Sequence, residues 1–224
     1  MKWWNRLWPA AAPDGPILWF APNLPGWKED NSTADLRIWR DADGAVLSLA
    51  VDVAVTFDVH KDLSDETEVR RYARGLAESR SGGLIEAHAR CTKVGPTAFW
   101  IYKRLEVPAY IYTGMLMACV NELPFLWTIV DGEGQTTGIR EAVVTAGLLS
   151  SGKLTPANYE QCWASDPYDP AYRGVDRSVL RGISDDACYD AQFPGHPLSK
   201  VRRVLAALPD NMEFDAKTSR SLLQ

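Results

Sequence analysis

Six aspartates, Asp166, Asp169, Asp176, Asp185, Asp186 and Asp190, crowd into one stretch of the chain. Carboxylates at that density can hold a metal ion, activate water or meet a basic partner, and their spacing separates these chemistries. A calcium loop of the EF-hand kind needs oxygens at alternate positions around a fixed glycine, so that the backbone can fold them onto one ion. In "SDPYDPAYRG" (165–174) Asp166 and Asp169 stand three apart, two prolines fix the intervening φ angles, and the glycine is misplaced. "SDDACYD" (184–190) has the carboxylates without the glycine. Arg173, Arg177 and Arg181 are interleaved with the aspartates and compete for them as ion-pair partners. Neither run is a local metal loop, and no metal or other cofactor is expected.

Asp185, Asp190 and His196 share this segment and supply the residue types of a hydrolase, with or without a metal. A hydrolytic site in the arm is the alternative reading. Against it, the chain has no G-x-S-x-G elbow. His60, His88 and His196 lie far apart, with neither H-E-x-x-H nor paired cysteines to suggest zinc. Cys91, Cys119, Cys162 and Cys188 form no C-x-x-C pair and read as reduced thiols. The "GEGQTTG" loop (132–138) opens a helix, where anions are favoured, but it lacks the P-loop lysine, and Glu133 would repel an anion. It reads as a turn from which Arg140 and Glu141 reach neighbouring loops, the aspartate-rich arm among them.

The aspartates come with large side chains. Trp163, Tyr168, Tyr172, Tyr189 and Phe193 either pin the arm to its own sheet or face outward inside an acidic rim. The outward arrangement suits a basic protein partner, with Trp163, Asp166, Tyr168, Asp169, Tyr172, Asp185, Asp186, Tyr189 and Asp190 as the binding set.

The elements that must position these groups follow from periodicity. Residues 35–56 read as a hairpin turning at Asp43-Gly44, in which Leu47, Leu49, Val51, Val53 and Val55 share one buried face and Ser48 and Asp52 lie on a partly wet one. Residues 66–80 switch to helical period, with Val69, Tyr72, Ala73 and Leu76 on one face, Asp65 and Glu68 at capping-box spacing, and "SGG" as the stop. "LIEAHARCTKV", "AFWIYKRLEV", "YIYTGMLMACV" and "FLWTIV" are four strands with short separators, which is a meander. In the first of them His88 alternates with Glu86 and Arg90, as on a solvated sheet face. A second helix, "IREAVVTAGLLSSG", has Ile139, Ala142, Val143 and Ala146 as its apolar stripe, Thr137 as N-cap and Gly152 near its end. Residues 153–196 show no period. "PLSKVRRVLAAL" is a last helix, with Leu198, Val201, Leu205 and Leu208 on one face and Pro209 ending it.

The order, strand-strand-helix-four strands-helix, predicts an α+β fold: an antiparallel sheet of about six strands with helices packed on one face. A Trp-rich tail (1–16), a sandwich domain (17–152) and an arm with a terminal helix packed on that domain (153–224) divide the chain. The element order and the opening "LPGWKED" resemble the PsbP-like superfamily, which includes a photosystem extrinsic subunit, a Ran-binding import factor and type VI effector chaperones. The resemblance implies a binding or chaperone scaffold without a shared catalytic centre.

Composition bounds the rest. The 224 residues carry a net charge of −5, which disfavours a nucleic-acid partner. Asn5, Arg6 and several prolines break the apolar run a secretory signal needs, and nothing is long enough to span a bilayer, so a cytoplasmic location is expected. The combined reading is a non-enzymatic protein-binding module of the adaptor, secretion-chaperone or toxin-immunity kind.

Overall fold

The computed structural model describes residues 20–30, 32–33, 36–51, 63–120, 123–134, 136–159 and 163–214. The Trp-rich tail, residues 52–62 with the end of the first hairpin's return strand among them, Cys162 and the last ten residues lie outside them. The elements in chain order are β1 (Phe20–Pro22), β2 (Lys28–Asp30), β3 (Leu36–Arg40), β4 (Val46–Val51), α1 (Glu66–Ser79), β5 (Gly82–Thr92), β6 (Gly95–Glu106), β7 (Ala109–Val120), β8 (Leu123–Gly132), α2 (Ile139–Ser150), β9 (Ala164–Ser165), β10 (Arg181–Gly182), α3 (Pro197–Asn211) and β11 (Met212–Phe214). Seven strands pair in the order β2-β3-β4-β8-β7-β6-β5, antiparallel throughout, which makes the molecule α+β. Among the described residues no helix is long and apolar enough to cross a membrane.

α1 begins where Asp65 accepts the amides of Thr67 and Glu68 at 2.9 and 3.2 Å, satisfying two of the donors a helix start leaves free. It buries Val69, Ala73 and Ala77 against Leu84, Ala98, Trp100 and Tyr102. α3 buries Leu198, Val201, Val204, Leu205 and Leu208 against Leu49, Ile101, Tyr112, Leu116 and Trp127. Trp100 and Ile101 are consecutive on β6, so their side chains leave the sheet on opposite faces. Helices therefore cover both faces, where a single covered face was expected. The same fact explains β4: Ser48 and Ala50 are as buried as Leu47 and Leu49, because neither parity of a central strand meets water here.

Two helix boundaries differ from the sequence reading. Gly138, in the left-handed region at φ 72, is the N-cap of α2, and Thr137 makes no cap. Glu133 takes that role from a distance, its Oε1 accepting the Gly138 amide. α3 runs through Pro209 to Asn211. The proline removes one backbone donor close to the helix end, and Asn211 Nδ2 donates to the Ala207 carbonyl in that same turn.

The larger difference is the rotation of α2. Its buried residues are Arg140 and Val144, while Ile139 and Val143 are 51% and 44% exposed and Ala142 and Ala146 are exposed with them. The apolar stripe faces out, and α2 packs on the Ile183–Asp185 turn of the arm by the face that carries Arg140 and Val144.

Candidate functional site

The arm is fastened by its own "SDPYDPAYRG" stretch. Asp166, 1% exposed, accepts the Tyr168 and Asp169 amides in a tight turn and takes both Arg74 nitrogens at 2.7 and 3.0 Å. Tyr168 turns inward: its hydroxyl accepts the Ala87 amide at 2.7 Å and donates to the Ala87 carbonyl at 2.9 Å, under the Arg70 guanidinium. Tyr172 donates to Glu78, and both that carboxylate and burial raise its phenol pKa, burial most. Asp169 caps Ala171 locally. Asp166 is thus absent from any outward rim, and the two tyrosines bind α1 and β5.

The second aspartate run surrounds Arg140, which has no exposed surface. Its Nε donates to Ser184 O at 2.6 Å, Nη2 to Asp186 O at 2.9 Å, and Nη1 to Asp190 Oδ1 and Ser199 Oγ at 2.9 and 2.8 Å. Arg202 holds Asp190 from the other side and ties it to Glu86. Asp186 pairs with Arg181, and Tyr189 is half-buried beside it. Asp185 is fully buried on Lys103 Nζ at 2.6 Å and on the Gly182 amide at 2.7 Å. His196 meets neither aspartate: its Nε2 lies 3.4 Å from Glu133 Oε1, and its ring meets Tyr112 edge-on. Asp185, Asp190 and His196 therefore answer to three different partners.

Beside this network the loop before α2 and the start of α3 bring Glu133, Glu141 and His196 together, with ligand-type atoms within 4.8 Å of one another. These three could hold a metal. The imidazole opposes it: Nδ1 accepts the Leu198 amide at 3.2 Å, which leaves the proton on Nε2, the nitrogen facing the carboxylates. Burial pushes the Glu133 carboxyl up, yet His196 and the Gly138 and Tyr110 amides outweigh it and hold the pKa below its ordinary value. Glu141 has no such help. Both its oxygens are buried without a partner in another residue, and burial, with the Asp185 and Glu133 charges, raises its pKa against the weaker pull of its own amide and of Lys103. Asp185 Oδ1, Ser184 Oγ and Tyr112 Oη are buried and unpartnered as well.

Glu141 and Ser184 line a cavity of about 440 Å³ whose wall includes Lys103, Tyr110, Tyr159 and Trp163. Tyr159 and Trp163 stack at 5.3 Å and 11°. A larger recess of about 550 Å³ lies between β5, β6 and α3; there Glu86 is paired with Arg202, Lys93 donates to the Asp210 carbonyl and Arg90 lies over Phe99. His88, on its rim, faces Glu66 at 3.5 Å and tilts over Phe99. The smaller cavity is the better candidate because its acceptors are not spent.

Of the binding set read from sequence, only Trp163 lines that cavity, with Ser184 and Gly182 flanking the buried Asp185. Lys103, Tyr110 and Tyr159 went unread. Lys103 had a signal: it shares parity with Phe99 and Ile101, where strand alternation calls for an apolar side chain.

No protein-family model and no curated protein matches the chain. Among solved structures, it is similar to the Ran-binding protein Mog1p of Saccharomyces cerevisiae at TM-score 0.37 and 9% identity, covering 61% of this chain and 78% of that one. It is also similar to a point-substituted Mog1 protein at TM-score 0.42 and 7% identity, covering 88% of this chain and 96% of that one.

Proposed function

We propose that this chain is a protein-binding module that engages a basic protein partner through the outward stripe of α2 and the adjoining cavity at Glu141, Tyr159 and Trp163. The observation that carries the reading is the orientation of α2. A helix whose apolar residues face water while an arginine faces the interior has a side suited to a second apolar surface. Ile139, Val143, Leu149 and Tyr159 all keep more than a third of their surface exposed, so covering them yields hydrophobic free energy at about 25 cal/mol per Å². The net charge of −5 and the unpaired Glu141 favour a partner that brings positive charge. The arm then acts as the brace that fixes α2, and adaptor, chaperone and immunity roles all fit such a module. The hydrolase alternative has no comparable support, since Lys103 and the arginines occupy its carboxylates.

The test uses the full chain and its Val143→Glu variant as bait in extract of the native host, followed by titration of the purified captured protein. Saturable binding weakened at least about tenfold by the variant is expected, since a buried charge costs more than one decade of affinity. Equal binding to both baits overturns the reading. So does a self-association of the free chain, seen by sedimentation, that the variant abolishes, because the stripe would then serve a second copy.

A further inference from the structure

The cavity beside α2 has a composition the docking stripe does not require. Glu141 Oε1 and Oε2 and Ser184 Oγ on its wall, and Asp185 Oδ1 next to Ser184, are buried and have no hydrogen-bond partner in another residue. Asp185 and Ser184 have no exposed surface. The cavity wall carries two cations, Lys103 and Arg177; Lys103 is committed to Asp185 Oδ2, and the other charges acting on Glu141 are the Asp185 and Glu133 carboxylates, so its own end of the cavity is acidic. A buried carboxylate without a donor costs free energy, and a ligand that brings N–H groups and positive charge recovers it. The aromatic wall sets the shape of that ligand. The stacked Tyr159–Trp163 pair offers a π face against which a guanidinium or an alkylammonium packs favourably, as the Lys103 ammonium already does over the Tyr110 ring at 5.1 Å. A bare divalent ion gains nothing from those rings, and the His196 tautomer withholds the nitrogen it would need.

We infer that the cavity lined by Glu141, Ser184, Tyr159 and Trp163 is a receptor for an arginine or lysine side chain presented by the partner. The inference rests on the proposed binding role and assigns its specificity: the stripe on α2 supplies area, and the cavity selects a basic residue. The cation packs on the Tyr159–Trp163 stack and donates to Glu141.

The probes are the acetyl methylamides of arginine and lysine, with the norleucine analogue as the uncharged control of similar length. The readout is fluorine NMR of the full chain labelled with fluorotryptophan, the Trp163 resonance being assigned by Trp163→Phe. The expected result is a saturable shift of that resonance by the arginine or lysine probe, none by norleucine, and at least about tenfold weaker binding to Glu141→Gln, in keeping with the loss of one charge-assisted contact. Should Glu141→Gln not fold, Trp163→Leu read by calorimetry gives the same comparison, with about fivefold weakening for the lost cation–π face. Equal shifts by norleucine, undiminished binding to Glu141→Gln or Trp163→Leu, or a response to zinc or manganese chloride in place of the basic probes would each overturn the inference. These probes do not touch the α2 stripe, so their failure leaves the Val143→Glu result standing, and a failure of that result leaves theirs.

Discussion

Arg140→Met should cost the fold about 2–4 kcal/mol, most of it from acceptors left behind. Methionine fills the arginine stem's path, so little cavity forms. Asp190 is not orphaned, because Arg202 and the Ser199 hydroxyl still reach its Oδ1 at 3.0 Å each. The Ser184 and Asp186 carbonyls do lose their donors, and a buried unsatisfied acceptor costs about 1–3 kcal/mol. Removing the desolvated guanidinium returns part of this, which sets the lower end. Against a total stability of about 5–15 kcal/mol the loss is a large share. Urea unfolding followed by tryptophan fluorescence and far-ultraviolet circular dichroism measures it as a fall in midpoint at constant slope. Arg140→Lys should recover no more than about half, since a point ammonium cannot span acceptors that a planar fork reaches on three sides. A loss below about 1 kcal/mol for Arg140→Met, or full recovery in Arg140→Lys, would show that the carbonyls have other donors and that Arg140 is no hub.

Other outcomes follow from single contacts. A Cβ on Gly83 would stand 2.1 Å from the Val179 carbonyl oxygen, so Gly83→Ala must push the arm off β5; enhanced proteolysis near Val179 and about 1–3 kcal/mol of lost stability are expected. Tyr168→Phe removes both bonds to Ala87 while keeping the ring under Arg70, and faster hydrogen exchange at the Ala87 amide reports it. Glu141 has a raised carboxyl pKa in the folded state, so the folded form binds its proton to higher pH than the unfolded chain does. The cost of its charge is therefore absent below the unfolded value of about 4.3 and grows as pH rises through the folded one. Glu141→Gln should be more stable than the parent at pH 7 and indistinguishable at pH 3.5, measured by thermal unfolding; Asp185, Lys103, Glu133 and His196 are the charged and titratable groups that face it. A parent that is the more stable at pH 7 would contradict the buried-charge account.

What could be read in advance depended on range. α1 and β5 to β8 follow from local period, because Val69 and Ala73 fall on one helical face and Trp100 and Ile101 on opposite strand faces. The turn at Asp166 was legible as Asp-Pro chemistry and is built as one, but its Arg74 partner sits 92 residues away, and no local pattern carries that distance. The stripe on α2 was found correctly and assigned the wrong surroundings. Period locates an apolar face; it does not say whether core or solvent lies opposite. That was decided by acceptors 44 and 59 residues downstream, at Ser184 and Ser199.

The polar hub and the outward stripe are two sides of one choice. Val144 is the apolar residue buried on the inner face of α2, and apolar contact alone would leave the helix soft in rotation, since Ile139 or Val143 could fill that place at similar gain. The helix could then roll and bury the stripe. Arg140 removes that freedom, because only one rotation of α2 brings its fork to the Ser184 and Asp186 carbonyls, Asp190 and Ser199 together. Four of the arm's six aspartates are held by cations, Asp166 by Arg74 at one end and Asp185, Asp186 and Asp190 by Lys103, Arg181, Arg140 and Arg202 at the other. Acidic density along the sequence therefore marks where the scaffold is braced. The carboxylate left for a ligand is Glu141, outside that run, on the helix the brace holds in place.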